Sequence, residues 1–305
     1  MQATSNILMI RPVAFGFNEQ TAGSNAFQNK SAEQADTQQK ALQEFDGFVQ
    51  LLRDNGVNVI VVNDTAEPHT PDSIFPNNWV SFHEDGNVYL YPMQAENRRL
   101  ERRKDVIRDL QETFNVDHIT DLSRFENEHK FLEGTGSMVL DRENKIAYAC
   151  LSPRTDADVL RTFCEQSGYK AVLFDAFDAK GKAIYHTNVL MAVATKYVVI
   201  CLESITDDEQ LEAVIDAIES SGKEIINITF EQMNHFAGNM LEVHNQAGES
   251  LIVMSASAWN SLDDEQRETL SSYSKPVYAD ISTIETNGGG SARCMMAEVH
   301  LPAKY

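Results

Sequence analysis

A thiol, an imidazole and a carboxylate mark the places in this chain where covalent chemistry could occur. Cys294 lies in NGGGSARCMMAEVHLP, Asn287 to Pro302, behind three glycines, a serine and an alanine. A nucleophilic thiol needs access, and either a lowered pKa or a base beside it. The glycine run offers the access, although it would serve equally as a tight bend before a buried strand. Arg293 is adjacent, but on a strand it would face the other way. His186 stands in KAIYHTNVLM, just ahead of an apolar strand. Histidine is the usual general acid or base near neutral pH, and a hydrogen-bonded structural role is its plainer reading. Glu133, in FLEGTGSMVL, precedes Gly134 and Gly136, which suggests a backbone turned tightly about a pocket; a surface turn would look similar. Together the three could form the nucleophile, proton carrier and orienting group of a thiol enzyme.

The other dense stretch is PDSIFPNNWVSFH, Pro71 to His83. Asp72 precedes an apolar pair, and two amides precede Trp79. Trp79 and Phe82 read as core. His83, His118, His129 and His235 lack metal-ligand spacing, and the four cysteines, Cys150, Cys164, Cys201 and Cys294, have no C-x-x-C pairing. No metal is expected, and reduced thiols point to the cytoplasm. A P-loop, a Rossmann fingerprint and a G-x-S-x-G elbow are all missing, so no cofactor is expected. The net charge of −21 argues against nucleic acid and against an anionic membrane as partner. A small molecule fits better. No apolar run reaches the ~18 residues of a membrane span, and MQATSNILMIRP does not read as a signal peptide.

These residues need elements to hold them. The 305 residues, 42% hydrophobic, suffice for two ordinary domains or one large one. ILMIRP reads as a strand, a polar stretch runs into a helix ending near Leu52, and GVNVIVVND is a second strand. Then a pattern of two strands, an amphipathic helix and a third strand recurs. Its copies are NNWVSFH to VDHIT with one helix over ENRRLERRKDVIRDLQETF, SMVLDREN to YKAVLFD, NVLMAVAT to KEIINIT, and NMLEVHNQAGES to PVYADI. CMMAEVHLP would join ILMIRP. The copies open near Asn78, Ser137, Asn188, Asn239 and Cys294, a period of roughly 50 to 60 residues. Thr206 with Glu209, and Ser261 with Glu265, mark helix starts. Such a period suggests a single α/β domain over residues 1–305, a five-bladed propeller of ββαβ units. An irregular α/β domain is the alternative. In a propeller, the openings of all five copies would face one pocket.

Taken in order, PDSIFPNNWVSF, FLEGTGSMVL, LSPRT, YHTNVL, AGNML and GGGSARCM resemble the guanidino-group-modifying enzymes. These comprise arginine deiminases, dimethylarginine dimethylaminohydrolases and amidinotransferases, and the dimethylarginine branch is the nearest. The resemblance implies a five-bladed α/β propeller, or pentein. It implies that Cys294 is the covalent nucleophile, that His186 carries the proton, and that Glu133 contacts His186 or the substrate nitrogens. It implies that Arg98 in AENRRLE and Arg154 in LSPRT hold the substrate's α-carboxylate, as the bidentate guanidinium allows. The register of Arg98 against Arg99 stays open. The polar segment from Phe17 to Phe27 would match a lid over the substrate.

The chain departs from that pattern at two positions. Asn78 stands where the deiminases and dimethylarginine hydrolases place an aspartate against the guanidinium. Asn188 stands where the deiminases have a second aspartate. A guanidinium without its buried carboxylate partner loses about 3–5 kcal/mol. A neutral urea fits an amide, which both donates and accepts. The expected substrate is therefore a ureido amino acid, citrulline, cleaved to ornithine and carbamate. Asp72 weakens this, because it could supply the missing charge. The alternatives are an arginine deiminase or dimethylarginine hydrolase that uses Asp72 or Glu133 as clamp, and an amidinotransferase. A non-enzymatic ribosome-binding propeller gives no reason for the cysteine, histidine and glutamate. Oligomeric state, including a homo-oligomer, stays open.

Overall fold

The computed structural model describes residues 1–29 and 36–304. Its strands form five separate three-stranded sheets of one design. Four run in sequence: β3 (Val80–Phe82), β4 (Asn87–Leu90) and β5 (His118–Asp121); β6 (Val139–Asp141), β7 (Ile146–Cys150) and β8 (Lys170–Phe174); β9 (Met191–Val193), β10 (Tyr197–Ile200) and β11 (Glu224–Asn227); β12 (Leu241–His244), β13 (Ser250–Ser255) and β14 (Lys275–Ala279). In each, the first strand pairs antiparallel with the second across a short connection. The third returns parallel to the second, which requires a crossover, and helices supply it. The fifth sheet draws on both ends of the sequence. β1 (Asn6–Arg11) runs parallel to β2 (Asn58–Asn63) and antiparallel to β15 (Ala297–Glu298).

The inner strand is the first of each of the four sequential sheets and β15 of the fifth. Its residues are buried, apart from half-buried His244 at the end of β12. That explains why these segments read as short apolar runs. β15 packs against β3, β6 against β9, and β9 against β12. The helices lie on the outer side and turn one apolar stripe inward, as with Val159, Leu160 and Phe163 of helix Ala157–Ser167. Among the described residues no helix is long and apolar enough to cross a membrane.

Several expectations change in detail. The long helix expected over Glu96 to Phe114 is two, Glu96–Arg99 and Lys104–Leu110, with Arg103 extended between them. Three arginines explain the break. Arg98 turns into the interior, Arg102 binds Glu126, and Arg103 reaches Asn63 O. One continuous helix face cannot satisfy all three. The helix caps are Asp207 and Asp263, not Thr206 and Ser261. Asp263 forms a reciprocal capping box with Gln266, while Ser261 closes the preceding helix, Ala256–Ser261. The openings of the repeats are not strand residues either. Asn78 ends the 3-10 turn Pro76–Asn78, Ser137 ends Gly134–Ser137, Asn188 lies in Thr187–Leu190, and Cys294 lies in the 3-10 turn Ala292–Met295. Each short turn precedes an inner strand and swings its side chains toward one end of the strands.

Candidate active site

Cys294 is 5% exposed and reaches a cavity lined also by Asp72, Asn78, Arg98, Arg154 and His186. The glycine run clears space for neighbours, not for open access. A Cβ at Gly288 would lie 2.7 Å from the Phe75 ring, and one at Gly290 would lie 3.0 Å from it. Phe75 is thereby seated on the loop that carries the thiol. Two amides hold the sulfur. Asn188 Nδ2 and Asn239 Nδ2 each donate to Cys294 Sγ at 3.3 Å. A thiolate accepts both better than a thiol does. Asn239 is anchored in turn, because its Oδ1 accepts from Arg293 N. The other three thiols differ. Burial pushes Cys150 and Cys201 up to about 12 and Cys164 up to about 11.

His186 precedes its short helical turn with an extended backbone, and its ring packs on Tyr185. Nε2 lies 2.8 Å from Glu133 Oε2. A carboxylate only accepts, so Nε2 carries the proton and Nδ1 is left with its lone pair. Burial pushes His186 down to about 4, against the opposing pull of Glu133, so the ring is neutral near pH 7. Burial also opposes ionisation of Glu133. The Arg154 guanidinium and the His186 bond outweigh it and hold the carboxyl well below the usual range. Glu133 Oε1 accepts from Gln94 N, which fixes the carboxylate plane. Gly136 is why His186 and Asn78 can approach each other. A Cβ there would lie 2.8 Å from His186 Nδ1 and closer still to Asn78 Nδ2.

Arg98 settles the register question. It is 2% exposed and lines the cavity, whereas Arg99 donates to Met93 O and Gln94 O. Its bidentate edge, however, is occupied. Nε and Nη2 donate to the two oxygens of Glu101 at 2.9 Å each. Nη1 donates to Asn78 Oδ1 at 2.9 Å. Arg98 therefore orients Asn78, and the edge assigned to a substrate carboxylate faces Glu101. Arginine has no acceptor, so this bond fixes which way the amide points. Asn78 Nδ2 is buried and has no partner. Asp72 lies in the pocket too, 3.8 Å from Arg98 Nε, with Oδ2 accepting from Asn18 Nδ2 at 2.7 Å. Its Oδ1 is buried and unpartnered, and burial pushes its carboxyl above the usual range.

The expected lid segment covers this cavity. Thr21 and Asn25 line it, and Asn25 Nδ2 reaches Gly288 O. Arg154 is held by the same segment, donating from Nη2 to Thr21 O and to Ser24 Oγ, with its Nη1 3.5 Å from Glu133. Cys294, His186, Glu133, Asn78, Asn188, Asp72, Arg98 and Arg154 thus belong to one cluster. Glu101 was not foreseen. Three residues after Arg98, it looks like one half of a solvated helix pair. Asn239 had been noted only as a repeat opening. Among the described residues, no three His, Cys, Asp or Glu side chains gather as a metal site.

The family model described as N,N dimethylarginine dimethylhydrolase, eukaryotic, matches residues 11–301. No curated protein matches by sequence. Among solved structures, apo ArgZ, an arginine dihydrolase from the ornithine-ammonia cycle in cyanobacteria, superposes with a TM-score of 0.76 at 18% identity. That match covers 97% of this chain but 41% of ArgZ. The ArgZ N-terminal domain bound to substrate gives 0.73 at 18% identity, covering 97% of this chain and 98% of that domain. A dimethylarginine dimethylaminohydrolase variant, as its adduct with S-methyl-L-thiocitrulline, gives 0.65 at 17% identity, covering 98% and 100%. The chain therefore spans less than half of ArgZ and nearly all of its N-terminal domain. At these identities the likeness establishes the mixed α/β fold.

Proposed function

The chain belongs to this dimethylarginine hydrolase family, whose members hydrolyse C–N bonds other than peptide bonds, and from that premise we propose that it hydrolyses citrulline to ornithine and carbamate through a covalent adduct on Cys294. The five sheets are read as the blades of one closed propeller over residues 1–305, with the active site at one end of the inner strands. Four free thiols support a cytoplasmic location.

The observation that carries the reading is the fixed amide of Asn78. Arg98 holds its oxygen, so its N–H groups face the cavity as donors. A guanidinium offers only donors, and it would meet donor against donor. A ureido oxygen accepts. Asn188 is complementary: its Nδ2 is on the sulfur and its Oδ1 is buried and unpartnered, an acceptor for a ureido N–H. One donor and one acceptor suit a carbonyl flanked by NH groups. A buried polar group left unpaired by the wrong substrate costs about 1–3 kcal/mol.

In this reading the lid lifts, Ser24 and Thr21 release Arg154, and Arg154 takes the substrate α-carboxylate. The Cys294 sulfur bonds to the ureido carbon as its proton passes to His186 Nδ1. Asn78 Nδ2 stabilises the oxyanion that develops. Glu133 stabilises the imidazolium. The bond from that carbon to the ornithine nitrogen breaks, and His186 returns the proton to the departing amine. Water then attacks the S-carbamoyl carbon, giving its proton to His186, and the C–S bond breaks to release carbamate and regenerate the thiol. Every step uses His186 as a carrier that is neutral at rest and charged in passing.

Asp72 favours a second reading. Its unpartnered Oδ1 in the cavity could pair with a guanidinium, making arginine or a methylated arginine the substrate. Against this, its charge is already shared with Arg98, and burial disfavours its ionised form. Separate incubation with citrulline, arginine and methylated arginines, followed by product analysis, distinguishes the two. Ornithine from citrulline alone supports the first reading. Citrulline formed from arginine or a methylated arginine would replace it with the second.

A further inference from the structure

The inner strands run from the candidate active site to a second cavity at their opposite ends. His83 follows β3, Arg142 follows β6 and His300 follows β15, and with Lys145, Tyr169, Glu84 and Met1 they line a small pocket that opens to solvent. In a chain of net charge −21 this gathering of cations and imidazoles stands apart. Its charges do not cancel. Two buried guanidinium groups, Arg142 and Arg293, share one buried carboxylate, Glu298. Arg293 has the better part, 2.6 Å from Oε2. Arg142 is left 3.4 Å from Oε1, and its Nη1 lies 3.5 Å from Phe82 O, both at the limit of a hydrogen bond. A buried charge without a full partner is costly.

Donors around the cavity are also unused. The His300 side chain is 5% exposed and its Nε2 has no hydrogen-bond partner; the nearest carboxylate oxygen, of Glu298, is 3.6 Å away. The Lys145 ammonium lies over the Tyr169 ring, 4.7 Å from its centroid, and among the described residues it makes no ion pair. Burial and the neighbouring cations push His83 and His300 down, so both rings are neutral near pH 7. The one carboxylate at the rim, Glu84, is half exposed and is held by the Met1 amino group.

We propose that the cavity among His83, Arg142, Lys145, Tyr169 and His300 is a binding site for a small oxyanion, a carboxylate or a phosphate. The anion completes the partner set of Arg142, accepts from His300 Nε2 and pairs with Lys145. Arg142 and Lys145 supply charge and His300 a neutral N–H donor, while His83 Nε2 is already engaged with Ser81 Oγ at 2.8 Å. The site is separate from the cavity at Cys294, so its occupancy does not depend on substrate.

The test is calorimetric titration of the full chain with inorganic phosphate and with acetate, each at constant ionic strength. One saturable site is expected, weakened about tenfold or more by Lys145→Gln. Arg154→Gln, which removes a cation of the other cavity, should leave it within about twofold; alkylation of Cys294 provides the same control without a substitution. Tighter phosphate binding assigns the phosphate class, and tighter acetate binding the carboxylate class. The proposal is overturned if neither anion binds. It is equally overturned if binding survives Lys145→Gln but is lost in Arg154→Gln or after alkylation.

Discussion

Asn78→Asp is the substitution that bears most sharply on substrate choice. Asn78 Oδ1 accepts from Arg98 Nη1 at 2.9 Å, and an aspartate keeps that bond with added charge. Only the second atom changes, from an N–H donor to a carboxylate oxygen. A ureido oxygen then loses its donor and faces another acceptor, at about 2 kcal/mol within the usual range for an unmade buried bond. At 1.36 kcal/mol per decade, kcat/KM for citrulline falls roughly 30-fold. A guanidinium gains a charge-assisted bond of about the same size, so arginine rises roughly 30-fold from its low base. The ratio of the two specificity constants therefore swings by about a thousandfold. Ornithine release from citrulline and citrulline release from arginine, measured on the same purified variant, give that ratio. If it stays within threefold of wild type while the variant remains folded, the argument from the fixed amide is refuted.

Further outcomes follow from the same geometry. Gly136→Ala drives a Cβ between Asn78 Nδ2 and His186 Nδ1; turnover should fall about a hundredfold or more while circular dichroism stays native. Iodoacetamide should alkylate Cys294 well before Cys150, Cys164 and Cys201, whose thiols burial keeps protonated, and peptide mapping by mass spectrometry reads the order. His186, held at about 4, takes up a proton on unfolding in acid; its contribution to stability is fully present above about pH 6.5 and is lost as pH falls toward 4. Urea unfolding should therefore show the wild type losing about 2 kcal/mol more than His186→Asn between pH 7.5 and pH 5. Equal losses would contradict the neutral, buried ring.

Much of the architecture was legible because the inner strands are apolar runs and the outer helices carry stripes, and both patterns are local. Of the five repeat openings, the structure gathers Asn78, Asn188, Asn239 and Cys294, whereas Ser137 binds backbone groups of Glu133 and Arg154. The misses share one cause. Whether Arg98, Arg102 and Arg103 sit along one helix or break it depends on Glu101, Glu126 and Asn63, and the last two are distant in sequence. Likewise the glycines before Cys294 looked like an open approach, because nothing local shows that the Phe75 ring fills the space. Asp72 could not be placed from the sequence, since its position depends on Asn18 of the lid and on Arg98. The role of Arg98 was altered by a carboxylate three residues away that reads as ordinary helix surface.

Ornithine release from citrulline by the wild-type chain and by Cys294→Ala is the most direct test of the central claim. The wild type should release ornithine, and the variant should do so about three orders of magnitude or more slowly. Release by both at similar rates, or by neither, would contradict the claim.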